Sequence, residues 1–196
     1  MKLILNSVSS IVGILLLVFL GAGFLSTKEF NGELSDTLVA PPQDIWALIS
    51  TPEQRKARLP IDKITGSQQN SLGFQKWAEH RGDTVARYEI LAYSQPFGLT
   101  LALMEGSDGL TGLFTYSLSS DDGIHTKLTI HEKSHLSGFT NRSIATLIGR
   151  DHGIRSELQS IKTALRKNAL APAPATTTSD AQDIPESATD NNTQTQ

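Results

Sequence analysis

His131-Glu132-Lys133-Ser134-His135 is the sharpest chemical pattern in the chain, an H-E-x-x-H match. On a helix this spacing turns two imidazoles to one side to hold zinc and places the glutamate to activate water. Gly138 stands where the longer zinc-hydrolase form has a glycine, but Asn141 occupies the place of its third histidine. No methionine follows Met104, so the Met-turn is missing. Lys127 to Ile130 alternate polar and apolar and lead straight into the motif, which makes it a strand. In a strand His131 and Glu132 point to opposite faces and cannot share an ion. No metal site is expected.

Asp151 is the second candidate. At 100° per residue it falls near the middle of an apolar stripe formed by Ile144, Leu147, Ile148, Ile154, Leu158, Ile161 and Leu165. A carboxylate there is costly unless paired, and Arg155, one turn on, can pair with it. The pair reads either as a polar group holding a ligand or acting as acid/base, or as a structural salt bridge near an open rim. Structural ion pairs are the commoner outcome. Arg87 and Glu89 share a strand face opposite Tyr88, which suits solvated charges. Trp46, Trp77, Phe114 and Tyr116 suit a core, and Tyr93, His80 and His125 have no partner that sequence identifies. A phosphate-binding Gly-rich loop and a nucleophile elbow are both missing. Accordingly, no catalytic residue and no cofactor are assigned.

These residues need elements to position them. Residues 33 to 39 precede the break Ala40-Pro41-Pro42. Asp44 to Ile49 can form a short helix, and Thr51-Pro52-Glu53 opens another, with Pro52 in its first turn. From about Ile61 to Lys133, turn residues at Gly73, Gly82-Asp83, Pro96 to Gly98, Gly106 to Gly109 and Asp121 to Gly123 mark strands joined by hairpins. The alternation of Leu99, Leu101 and Leu103, then Phe114, Tyr116 and Leu118, then Leu128 and Ile130, predicts an antiparallel sheet with one covered face. The stripe over Thr140 to Lys167 predicts one long amphipathic helix to cover it.

The ends differ from this middle. Val8 to Leu25 carries no charge and, with Leu3 to Leu5 ahead of it, approaches the length of a membrane span. It lacks an A-x-A cleavage site and its apolar run exceeds a usual signal core, so an uncleaved anchor is expected over a cleaved signal peptide. Lys2 precedes the segment while Glu29, Glu33 and Asp36 follow it, which places the N-terminus in the cytoplasm. The chain then reads as a single-pass membrane protein with its domain outside the cytoplasm, periplasmic or at the cell surface, and the bilayer as partner through residues 3–25. After Leu170 the chain is rich in Pro, Ala, Thr and acids, with Ile184 its single large aliphatic residue; it cannot offset its ordering entropy and should be disordered. The expected organisation is an anchor and flank over 1–28, a domain over 30–169 and an acidic tail over 170–196.

Composition excludes several classes of function. Between Ser26 and Leu170, 16 Lys plus Arg balance 16 Asp plus Glu, and the net charge of −3 arises from Lys2 and four tail acids. This gives no basic footprint for nucleic acid. The absence of cysteine excludes disulfides, thiolate zinc sites and a cysteine nucleophile.

The order of parts (strand, two short helices, about six strands, long helix) resembles the helix-grip fold of the START-related, polyketide-cyclase-like SRPBCC superfamily. Three stretches carry the resemblance. GELSDTLVAPPQDIWALISTPEQ is similar to the opening strand, Ala-Pro-Pro turn and Trp-bearing helix, here with Trp46. GFQKWAEHRGD is similar to the third strand, with Trp77, and DDGIHTKLTIHEKSHLSGFTNRSIATLIG to the last strand leading into the long helix. The Gln54 to Arg58 stretch departs from the pattern, since members often place a Trp there, and this puts the pocket mouth in question. The resemblance implies an α+β domain, a curved antiparallel sheet wrapped around a long C-terminal helix, here preceded by one transmembrane helix. It also implies a cavity between sheet and helix, often for a lipid, sterol or polyketide, but no shared catalytic set. The pocket candidates are Asp151, Arg155, Trp77, Tyr88, Phe114, Tyr116, Ile144, Leu147 and Leu158. The leading expectation is a membrane-anchored, non-catalytic binder of an apolar or amphipathic molecule such as a lipid. The alternatives are a cyclase or dehydratase using Asp151, and a protein-interaction module with a closed pocket.

Overall fold

The computed structural model describes residues 2–107 and 109–170, with side chains from Ser10 onward. The acidic tail expected after Leu170 lies outside the described residues. The elements run α1 (Lys2–Leu25), β1 (Glu29–Val39), α2 (Pro42–Ile49), α3 (Pro52–Arg58) and β2 (Lys63–Gln69). They continue through β3 (Gln75–Arg81), β4 (Thr84–Ser94), β5 (Gly98–Gly106), β6 (Leu110–Ser119), β7 (His125–Leu136), α4 (Phe139–Ile148) and α5 (His152–Leu170). Both short helices begin with proline, whose fixed φ suits a first turn, and Thr51 caps α3 by accepting the Gln54 N–H.

The strands form one antiparallel sheet in the order β1-β7-β6-β5-β4-β3-β2. The first strand therefore pairs with the last, and α2 and α3 make the crossover between the sheet's two edges. The inner face buries the residues that alternation selects: Leu99 and Leu101, Tyr116 and Leu118, Leu128 and Ile130. Ile45, Leu48 and Ile49 of α2 and Ile154, Leu158 and Ile161 of α5 close over them in one core. Each such side chain, fully buried, contributes about 1.5–3 kcal/mol relative to exposure.

The single long helix expected over Thr140 to Lys167 is two helices. Gly149 takes φ +94°, a positive value outside the region helices use, and the chain breaks there before restarting at His152. A stripe counted through the break loses its register. Asp151 consequently sits half-buried at the joint instead of facing the sheet, while Ile144, Leu147 and Ile148 of α4 are 45 %, 55 % and 60 % exposed.

Among the described residues no helix is long and apolar enough to cross a membrane. The transmembrane helix expected over residues 3–25 is thus not found among them. The described side chains of α1 are nonetheless mostly apolar and exposed, from Ile11 at 58 % to Leu25 at 86 %. The C-terminal end of α1 docks on α4 through a glycine. A Cβ on Gly23 would lie 2.1 Å from Ser143 Oγ and 2.8 Å from the Phe139 ring. Only Ser26, Thr27 and Lys28 separate α1 from β1, and Arg150 donates to Ser26 Oγ at 2.8 Å and to the Thr27 carbonyl, fixing this link.

Gly23→Leu should therefore pry α4 away without disturbing the sheet. Hydrogen exchange is expected to speed up at the amides of residues 143–148 while those of β6 and β7 stay protected; unchanged exchange in α4 would refute the docking role.

Candidate functional site

The inner face holds charge as well as carbon. Glu79 follows Trp77 by two residues on β3 and so points inward with it, and Glu157 lies three residues after Ile154 on the buried side of α5. Arg55 and Arg58 of α3 reach in to meet them. Arg55 Nε donates to Glu79 Oε1 at 2.8 Å, and its Nη1 to Glu157 Oε1 at 3.3 Å. Arg58 donates through Nη2 to the same Glu157 oxygen at 2.6 Å, through Nη1 to Ser160 Oγ at 2.6 Å and through Nε to the Leu48 carbonyl at 2.9 Å. Tyr116 OH donates to Glu157 Oε1 at 2.8 Å, Trp77 Nε1 to Glu79 Oε1 at 3.1 Å, and Arg81 Nη2 to Glu79 Oε2 at 2.9 Å. The Arg55 guanidinium also lies 4.9 Å from the Tyr88 ring centroid.

Burial opposes charge at each of these groups, and the partners overcome it. Burial alone would raise the Glu157 pKa, but Arg55, Arg58 and the Tyr116 hydroxyl bring it down to about 2. Burial likewise opposes Arg55, yet Glu157 and Glu79 push its pKa well above the usual value. The Tyr116 and Tyr88 hydroxyls are held protonated, chiefly by burial. The network is an ionised cluster tying α3, β3, β6 and α5 together, in which, among the described residues, Arg81 Nε alone is buried without a hydrogen-bond partner.

A cleft of about 370 Å³ opens beside this cluster. Tyr88, Leu101, Leu103, Phe114 and Tyr116 form its apolar wall, Arg55, Arg81 and Glu157 its polar end, and His152, Gly153 and Ser156 its solvent-exposed lip. A second cleft of about 310 Å³ lies under α4, between Phe30, Leu136, Ile144, Ile148 and Glu132. The two meet at Leu110, His152 and Gly153, where the helix break leaves the sheet uncovered. Both volumes reach the lower range of small-molecule sites.

Of the sequence candidates, Tyr88, Phe114 and Tyr116 line the first cleft and Ile144 the second. Trp77 and Leu158 belong to the core, with Trp77 stacked on Tyr88 at 5.8 Å between centroids. Leu147 is exposed. Asp151 and Arg155 pair with each other at 2.5 Å, and neither lines a cleft. The H-E-x-x-H residues lie on β7. His131 pairs on the outer side with Asn31 Oδ1 at 2.7 Å, while Glu132 is buried on the inner side. Among the described residues, no three His, Cys, Asp or Glu side chains converge as a metal ion would require.

No family model matches the chain, and no curated protein does. Solved structures do. A START superfamily protein from Mycobacterium smegmatis aligns with TM-score 0.58 at 10 % identity, covering 70 % of this chain and 98 % of that one. The fold is START-like. Zhui aromatase/cyclase from Streptomyces sp. R1128 aligns with TM-score 0.58 at 12 % identity over 73 % of this chain and 97 % of its own. Norcoclaurine synthase from Thalictrum flavum aligns with TM-score 0.54 at 12 % identity over 74 % and 91 %. At such identities the START-like architecture is what these proteins share with the chain.

Arg55, Arg58, Glu79 and Glu157 escaped the sequence reading, although their positions carried a signal. Glu79 has the strand parity of Trp77, Glu157 the helical phase of Ile154 and Ile161, and both arginines fall in the stretch that departs from the family pattern.

Breaking the cluster should be costly. Glu157→Gln leaves Arg55 and Arg58 short of a counter-charge and should destabilise the fold by about 3 kcal/mol, read as a lowered thermal midpoint. The sign with pH follows from the depressed pKa. The carboxylate's contribution is complete above its ordinary value near 4.5 and is lost as pH falls toward about 2. Wild-type stability should drop across that window more steeply than that of Glu157→Gln; parallel profiles would refute the assignment.

Proposed function

We propose that this START-like domain binds an apolar or amphipathic small molecule, such as a lipid, in the joined clefts, without chemistry on it, and that α1 holds it at a membrane. The observation that carries the reading is the largely apolar, solvent-accessible cleft between the sheet and the broken C-terminal helix. Its polar end is spent on internal ion pairs, which leaves Glu79 and Glu157 ionised and already paired and Tyr116 protonated. The Asp151–Arg155 pair lies outside the clefts, which favours binding over the cyclase or dehydratase alternative that would use polar pocket residues such as Asp151. An open cleft also disfavours a closed interaction module.

The exposed apolar side chains of α1, and those of α4 beside them, support the membrane part. The N-terminus would be cytoplasmic and the domain periplasmic or at the cell surface, since Lys2 precedes the apolar run and acids follow it.

Native mass spectrometry of the full chain released from membranes should reveal a co-purified apolar ligand. Ser156→Trp, which turns an indole from the exposed lip into the first cleft, should cut its occupancy by about tenfold while leaving the thermal midpoint near wild type. Consistently empty protein, even after incubation with lipid extract, would end the reading. For the anchor, wild-type chain should resist alkaline extraction from membranes, whereas the double variant Leu15→Arg, Leu17→Arg should be released. Equal release of both would exclude anchoring by α1.

A further inference from the structure

Glu132 is a buried acid that the ion-pair cluster does not use. It projects from β7 on the same face as Leu128 and Ile130 and is 5 % exposed. One carboxylate oxygen, Oε1, accepts from Ser134 Oγ at 2.6 Å. The other, Oε2, is buried with no hydrogen-bond partner. An unpaired buried acceptor of this kind costs about 1–3 kcal/mol, so it calls for an explanation. Its surroundings supply one. Glu132 lines the cleft beneath α4, and a Cβ on Gly153 across from it would lie 3.6 Å from Oε2. Glycine there puts no side chain between Oε2 and the cleft; the oxygen itself lies just beneath the cleft surface, so a guest's hydroxyl reaches it through a small turn of the Glu132 carboxyl.

The other lining groups limit what can donate to that oxygen. Phe30, Leu136, Ile144 and Ile148 make most of the cleft apolar, with Asn141 and His152 its other polar side chains. Arg150 lines the same space, and its positive charge disfavours a cationic guest, while burial, outweighing Arg150 and Ser134, raises the Glu132 pKa. Glu132 itself disfavours an anionic one. A neutral donor remains.

We infer that the cleft under α4 is a subsite for the hydroxyl group of an apolar alcohol, with Glu132 Oε2 accepting the hydroxyl hydrogen and Ser134 orienting the carboxylate. The hydrocarbon part of the guest lies against Phe30, Leu136, Ile144 and Ile148, and can continue past Leu110 and Gly153 into the first cleft. This assignment rests on the ligand-binding reading above and adds the guest's chemical class and polar contact.

The test compares two probes of similar length, 1-octanol and octyl methyl ether, titrated calorimetrically into the full chain held in amphipol. Only the first can donate. Wild type should bind the alcohol about tenfold more tightly than the ether, the worth of one hydrogen bond to an otherwise unpartnered buried acceptor. Glu132→Leu should lose that preference yet keep its affinity for the ether, and Glu132→Gln, whose amide oxygen still accepts, should keep a reduced one. Equal binding of both probes by wild type overturns the assignment without reference to any variant, as does an alcohol preference that survives in Glu132→Leu. Failure of the alcohol to bind also overturns it. Lipid recovered by native mass spectrometry would then show that the broader reading stands and only the hydroxyl subsite falls.

Discussion

The fold depends on neutralising charge where there is no water to do it. Glu157 accepts from Arg55, Arg58 and Tyr116 at once, and Glu79 accepts from Arg55, Trp77 and Arg81. Removing several charges from water costs several kcal/mol per ion, and the cost is met only because α3, β3, β6 and α5 bring their partners together at one point. Helix α3 must stand over β3 for Arg55 to reach Glu79, and α5 must lie across β6 for Glu157 to reach Tyr116. Apolar burial alone would tolerate small slides of a helix on a sheet. The ion pairs do not, and they thereby set where the sheet is covered and where it is left open.

The open part is the consequence. Helix α5 is pinned by the cluster, by its core residues and by the Lys162–Asp36 pair to β1. Helix α4 has Ser143 as its sole fully buried side chain and leans on α1. Between them the chain breaks at Gly149, and both clefts converge on that break. The joined clefts are thus the unfilled angle between a helix held by the sheet and a helix held from outside it.

Much of this was legible from residue order. Strand alternation located the inner face, proline and glycine punctuation located α2, α3 and the hairpins, and the strand parity of β7 separated His131 from Glu132. Two features were not. A periodic stripe is blind to a break that leaves apolar residues at helical spacing in each half, so Ile144 through Leu165 read as one helix; the phase does not carry across Gly149, and Asp151 was counted onto the wrong face. The ion-pair cluster joins residues as far apart as Arg55 and Glu157, and a single sequence does not pair an arginine with a particular acid across such a distance. The parity of Glu79 and the phase of Glu157 mark them as inward, but the partner that makes inward charge tolerable exists only once the chain is folded.

The link between α1 and β1 spans three residues, at most about 10 Å of extended chain. Arg150 shortens its effective reach further by holding Ser26 and Thr27, and its guanidinium rests 5.7 Å from the centroid of Phe30. Phe30 is itself a wall of the cleft under α4. A tether so short and so fastened removes rotational freedom: the domain cannot swivel on its leading helix as a module on a flexible stalk would. Wherever that helix lies, this aperture stays beside its end at a constant bearing, so on the proposed reading a guest arriving along the helix would meet the opening without a search over orientations.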